Sequence, residues 1–259
     1  QFGSFCDRSL FSTCRQKSLI FSVIYLILIF GIQHFMKERR PFKLRGPLVL
    51  WSFSQPWAQC SALLWFSCCF IAAYQIWKQM AFLLLTKGFK QPVCILSFYV
   101  HPVSKLWMYL FALSQLVEIG DTLFIVLQKK KLIFLHWYHH LFTMILCWYS
   151  YKMMAAGAGW NAALNFSIHF VMYFYYAVAA VGIRVPHSLT MLITTSQMVQ
   201  ITGFVIINVF IFFWKDDKLC QVTWPMLFLS SSLYTTLFAL FSNFFVKTYL
   251  SSTQKSKRN

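Results

Sequence analysis

Residues 19–36 (LIFSVIYLILIFGIQHFM) contain no Lys, Arg, Asp or Glu, and further apolar runs lie near 57–85, 104–127, 132–151, 160–181, 189–213 and 224–249. A helix rises about 1.5 Å per residue, so about 20 apolar residues cross a hydrocarbon layer. The first run is too long for a signal-peptide core and has no small-residue cleavage site after it, so it reads as a span. Turn and charge signals separate the runs: Lys37-Glu38-Arg39-Arg40-Pro41, Lys87-Gly88, Lys129-Lys130-Lys131, Gly157, Pro186 and Lys215-Asp216-Asp217-Lys218. Composition agrees. With 59% hydrophobic residues, 11% charged residues and a mean hydropathy of +0.60, the polar surface is too small for a water-soluble globule. No 20–50-residue period repeats. The expectation is an all-α integral membrane protein with seven transmembrane helices, a single polytopic domain over residues 1–259 whose first partner is the lipid bilayer.

Seven spans place the termini on opposite sides. With a cytosolic tail, the cytosolic segments are 37–45, 128–131, the turn around Arg184, and 247–259; they hold 13 of the 23 basic residues. The positive-inside bias favours that orientation, with a lumenal N-terminus and a cytosolic C-terminus. The net charge of +17 therefore sits in short loops and the tail and points to no nucleic acid. Residues 247–259 read as a cytosolic basic tail in which Lys255 and Lys257 fit a dilysine retrieval signal of the endoplasmic reticulum. A solvated basic tail is the simpler alternative. The chain begins at Gln1, as expected of a sequence lacking a short N-terminal piece.

The eight cysteines show no metal-binding spacing. Cys6, Cys14, Cys94 and Cys220 face the lumen in this topology, and Cys94 with Cys220, in separate lumenal loops, is the expected disulfide. Cys60, Cys68, Cys69 and Cys147 fall within spans as packing residues. The sequon Asn165-Phe166-Ser167 lies inside a span and is not a glycosylation site.

The informative polar residues lie inside the membrane. Glu118 and Asp121 are one helical turn apart in the third span, with Gln115 a further turn along. An ionisable residue at that depth costs at least about 2.5 kcal/mol unless it has a partner or a wet cavity. The fourth span carries His136-Trp137-Tyr138-His139-His140, placing three imidazoles on one helix face. The fifth has Asn165, His169, Met172, Tyr173 and Tyr176, and the sixth Thr194, Gln197 and Gln200. Such stripes must face one another, so a polar cavity inside the bundle is expected. Interhelical hydrogen bonding, worth about 0.6 kcal/mol apiece, explains Thr194, Gln197 and Gln200 equally well.

Three chemistries fit clustered membrane histidines. A di-iron oxygenase needs about eight ligands, more than four cavity histidines and two acids can supply. A single metal on His136, His139 or His140 with a carboxylate stays open. A proton-coupled transporter would use Glu118, Asp121 and the histidines as a relay, but no inverted repeat accompanies them. Metal-free nucleophilic and acid–base catalysis needs only neutral imidazoles and an orienting carboxylate. Cys147, two turns beyond His140, is a poor rival nucleophile.

The run Lys131-Leu-Ile-Phe-Leu-His136-Trp-Tyr-His139-His140 resembles the histidine box of the fatty-acid elongases, the very-long-chain 3-oxoacyl-CoA synthases. Glu118-Ile-Gly-Asp121-Thr122 resembles that family's KxxExxDT, Asn165 through Tyr176 its NxxxHxxMYxYY, and Thr194 through Gln200 its TxxQxxQ. The HWYHH form looks most like the subgroup acting on saturated and monounsaturated acyl-CoAs. The resemblance implies an endoplasmic reticulum protein with six of seven helices around a narrow acyl tunnel. It implies condensation of malonyl-CoA with an acyl-CoA, without a cofactor and with no metal, through an acyl-imidazole on a histidine. It makes His139 the nucleophile and His169 its partner, with His136 and His140 as orienting or acid–base groups. Glu118 and Asp121 set their protonation, and Asn165 and Gln197 donate to the thioester or enolate oxygen. Lys129, Lys130 and Lys131 suit CoA phosphates or serve as a positive-inside anchor; Tyr173, Tyr176, Thr194 and Gln200 are further expected substrate contacts. Other elongation-cycle enzymes and homo- or hetero-oligomeric copies are further candidate partners.

Two departures stand out. Gln115 replaces the family's Lys in KxxExxDT, and Gln128 replaces a basic residue before the Lys cluster. Both are expected to remove positive charge from the CoA entrance. A catalytically weakened elongase-like protein, or a transporter, is thus the competing reading.

Overall fold

The structure is a computed structural model that describes residues 14–39, 48–94, 101–127, 129, 131–180, 183, 185–217, 220 and 222–250. The expected tail signal at 251–259, and Cys6, Gln128, Lys130 and Arg184, lie outside the described residues. Among the described residues the chain is helical, with no strand. In chain order the helices are α1 (Cys14–Phe35), α2 (Leu48–Lys87), α3 (Lys90–Cys94), α4 (Pro102–Leu127), α5 (Phe134–Met153), α6 (Ala158–Ala180), α7 (His187–Trp214) and α8 (Trp224–Phe245), followed by a π-helical turn, Val246–Leu250.

Among the described residues, five segments are long and apolar enough to cross a membrane: Phe66–Lys87, Pro102–Leu127, Ala158–Ala179, His187–Trp214 and Trp224–Leu250. Their outward faces are greasy. Leu85 is 88% exposed and Phe213 74%, an arrangement that water would oppose and lipid accommodates. This is a multi-pass membrane protein. In α1 the apolar stretch Ile20–Phe35 is shorter. The 20-residue α5 has its hydropathy lowered by three histidines and Lys152, the groups that build the site.

Local chemistry sets the helix ends. Pro102 begins α4 and Pro225 lies in the first turn of α8, positions where a missing N–H costs nothing. Gly88, with φ +75°, stops α2. α2 runs 40 residues, well beyond the 57–85 expected, and packs most extensively against α6. The short α3 was not legible as an apolar run.

The turns at one end of the bundle are fastened together. A disulfide joins Cys94 of α3 to Cys220, 126 residues away. Lys90 also pairs with Asp217, and the Gly157 N–H donates to the Val93 carbonyl at 2.8 Å. Cross-links of this kind typically stabilise by about 2–5 kcal/mol. Cys94→Ser and Cys220→Ser should each lower the melting temperature in detergent by a similar amount, and the double variant should go no lower. Full additivity would show the two sulfurs acting independently. Gly157 has φ +79°, and a Cβ there would sit 2.8 Å from Ile211 Cδ1. Gly157→Ala should therefore cost about 1–3 kcal/mol by backbone strain and clash, measurable in the same melt.

Candidate active site

The other end of the bundle is open. The N-terminal turns of α5 and α7 and the C-terminal ends of α4, α6 and α8 surround an outer cavity of about 560 Å³. His136, His139 and His140 line it from α5, His169 and Tyr176 from α6, and Thr194 from α7. Below it lies a narrow inner chamber of about 70 Å³ with a mostly apolar wall. His139, His169, Gln197 and Phe241 belong to both walls. Along α6 the chamber runs from His169 to Ala158, and along α5 from His139 to Tyr151. At 1.5 Å per residue that is a depth of about 16 to 18 Å. A group held at the shared ring therefore has the wide, histidine-lined cavity on one side and the narrow chamber on the other.

The expected single helix face for the α5 histidines is realised. The His136 and His140 rings are 4.5 Å apart, and those of His139 and His140 are 5.4 Å apart. Thr143, one turn after His139, determines how that ring is protonated. Its hydroxyl donates to the His139 carbonyl at 2.6 Å, while its oxygen lies 3.2 Å from His139 Nδ1. A threonine has one proton to give and spends it on the carbonyl, so toward Nδ1 it can only accept. Nδ1 of the neutral ring therefore carries the hydrogen, and Nε2 keeps the lone pair.

Glu118 does not line either cavity wall. It sits behind the histidines, buried, with its Oε1 accepting from Gln115 Nε2 at 3.1 Å. His169 Nδ1 is 3.7 Å from Oε1 and His140 Nδ1 is 3.9 Å from Oε2. The carboxylate thus faces imidazoles on two helices. It can orient them and take up or return a proton there. Gln115 is 2% exposed and paired with Glu118, so this position is deep in the bundle rather than at an entrance. The expectation that it strips charge from a CoA entrance is corrected accordingly. Asp121 occupies the next turn of α4; its side chain lies outside the described residues.

Asn165 and Gln200 line the inner chamber. Gln197 reaches the Met172 sulfur at 3.9 Å, and Thr194 bonds the Tyr249 hydroxyl at 3.1 Å. Tyr173 is packed in the main core cluster, its ring 5.8 Å from that of His169. Lys129 and Lys131 are exposed in the α4–α5 connection, where Lys129 Nζ donates to the Lys37 carbonyl at 3.2 Å. Among the described residues, no group of three or more His, Cys, Asp or Glu side chains is placed to hold a metal ion.

Residues 11–257 match the GNS1/SUR4 family, ELO. The chain belongs to the ELO family. Very long chain fatty acid elongase 6 of Gallus gallus is 44% identical over 243 residues, 94% of this chain and 88% of the relative. The elongase 6 of Homo sapiens is 43% identical with the same coverage. Very long chain fatty acid elongase 3 of Homo sapiens is 40% identical over 96% of this chain and 89% of the relative.

In this ELO-family chain two hydroxyls at the site, Thr143 and Tyr25, escaped the sequence reading, and a third, Thr122, was read only as part of a motif. Thr122 Oγ1 is 3.1 Å from His136 Nε2 and 3.0 Å from the Tyr25 hydroxyl. Thr122 closes the quoted EIGDT run, a hint of a role. Tyr25 carried no signal, being one aromatic in a greasy span.

Proposed function

We propose that this protein is a very-long-chain fatty-acid elongase, a 3-oxoacyl-CoA synthase that condenses malonyl-CoA with a long-chain acyl-CoA. One observation carries the reading: the His139 ring is shared by a wide, histidine-lined outer cavity and a narrow inner chamber. An acyl-CoA needs both spaces, one for its thioester and pantetheine and one for its tail. The reading supplies the architecture as well. Seven helices span the endoplasmic reticulum membrane, with α2 and α4–α8 around the tunnel. The disulfide-fastened end is lumenal, and the tail is cytosolic.

In the first half-reaction His139 Nε2 attacks the thioester carbon. The N–C bond forms, the C–S bond breaks, and the imidazole's Nδ1 proton goes to the departing CoA sulfur. In the second, malonyl-CoA loses CO2, and the enolate carbon attacks the acyl-imidazole. A C–C bond forms, the N–C bond breaks, and the returning imidazole takes up a proton, so each turnover consumes one. Asn165 and Gln197 donate to the developing oxyanion. Glu118 holds His140 and His169 in orientation behind the reacting centre, and Lys129 and Lys131 attract the CoA phosphates.

The test supplies radiolabelled malonyl-CoA and palmitoyl-CoA to membranes carrying the protein. A labelled 3-oxoacyl-CoA two carbons longer than palmitoyl is expected. Absence of that product across a series of acyl chain lengths would overturn the assignment.

A further inference from the structure

His136 is the one α5 histidine whose ring is held from outside the cavity by a chain of hydroxyls. Tyr25 of α1 lies 3.0 Å from Thr122 of α4, which lies 3.1 Å from His136 Nε2. Tyr25 is 2% exposed and Thr122 wholly buried, so neither hydroxyl is bonded to bulk water. The protons can be ordered in three ways. If Tyr25 and His136 Nε2–H both donated to Thr122, the buried Thr122 proton would have no acceptor among the described residues. If His136 Nε2–H donated to Thr122 and Thr122 to Tyr25, the buried phenol proton would have no acceptor among the described residues. Leaving a buried donor unmet is expensive. If Tyr25 donates to Thr122 and Thr122 to His136 Nε2, every proton in the chain is placed. The phenol is also more acidic than an alkyl alcohol and so the better donor. In that direction His136 Nε2 is an acceptor, and the ring's own hydrogen is on Nδ1.

We infer that Tyr25, acting through Thr122, fixes the proton of His136 on Nδ1 and thereby makes His136 a hydrogen-bond donor to the substrate rather than a base. His136 lines the outer cavity, so its N–H is available to a carbonyl or carboxylate bound there. Tyr25 and Thr122 are positioning residues that touch no substrate. The peripheral helix α1 thus contributes to the site without contributing to the cavity wall. The donor role rests on the elongase reading above; the tautomer does not.

The experiment therefore has a readout that needs no turnover. Nitrogen NMR of the full chain labelled with 15N-histidine, its His136 signals assigned by their loss in His136→Asn, should show Nδ1 protonated and Nε2 bare. Tyr25→Phe should collapse that pattern toward a mixture of tautomers. In the elongation assay Tyr25→Phe should lower kcat roughly three- to tenfold with KM unchanged, the usual reach of one hydrogen bond. Thr122→Val should match it, Thr122→Ser should restore most of the rate, and Tyr25→Phe/Thr122→Val should be no worse than Thr122→Val alone. A His136 ring protonated on Nε2, or wild-type tautomer ratios in Tyr25→Phe, would overturn the inference whatever the turnover. A well-ordered Nδ1–H signal in a protein that makes no 3-oxoacyl product would instead sink the elongase reading and leave the tautomer assignment standing.

Discussion

His139→Ala abolishes elongation: the expected loss in kcat is at least about a thousandfold, because the variant has no α5 imidazole between the two cavities to carry the acyl group. His136 accepts from Thr122 at Nε2, and both His140 and His169 direct Nδ1 toward Glu118. The Cys147 thiol lines the inner chamber two turns further along α5. Thermal stability should change little, since the removed ring borders two cavities and the Thr143 hydroxyl keeps its backbone acceptor. Rates of labelled product formation, with the melting temperature as a folding control, check both halves. A residual rate within tenfold of wild type would move the nucleophile elsewhere.

Glu118→Gln carries the second large effect. The amide keeps the shape of the carboxylate and can still bond Gln115, so the helices should pack as before. It can neither hold an imidazolium nor take a proton from His140 or His169, 3.9 and 3.7 Å away. Loss of positioned acid–base assistance is worth about a hundredfold or more in kcat. Glu118→Ala should match that loss and also lower stability, by about 1–3 kcal/mol, because the buried Gln115 amide loses its acceptor. Unchanged kcat in Glu118→Gln would reduce the carboxylate to a packing role.

What could be seen in the sequence divides along physical lines. Apolar runs are set by local composition, so each of the long helices was announced by one. The α5 histidines share a face because a helix turns every 3.6 residues, which spacing alone reports. Pairings across the bundle are different. Tyr25 and Thr122 are 97 residues apart, and nothing local distinguishes their hydroxyls from others in the same spans. The Gln115–Glu118 pair shows the limit of motif reading: spacing placed both residues on one face, but only packing shows that face turned behind the histidines. Thr143 escaped notice because a threonine one turn after a histidine usually serves only its own helix backbone. Here that same bond, by using up the hydroxyl proton, leaves the His139 lone pair on Nε2.

The most direct test of the central claim is the intact mass of the purified protein after exposure to acyl-CoA alone, with no malonyl-CoA present. One acyl group per chain should appear in the wild type, disappear when malonyl-CoA is added, and never form in His139→Ala. An unmodified wild-type mass under conditions that support turnover, or the same adduct in His139→Ala, would contradict an acyl-imidazole on His139.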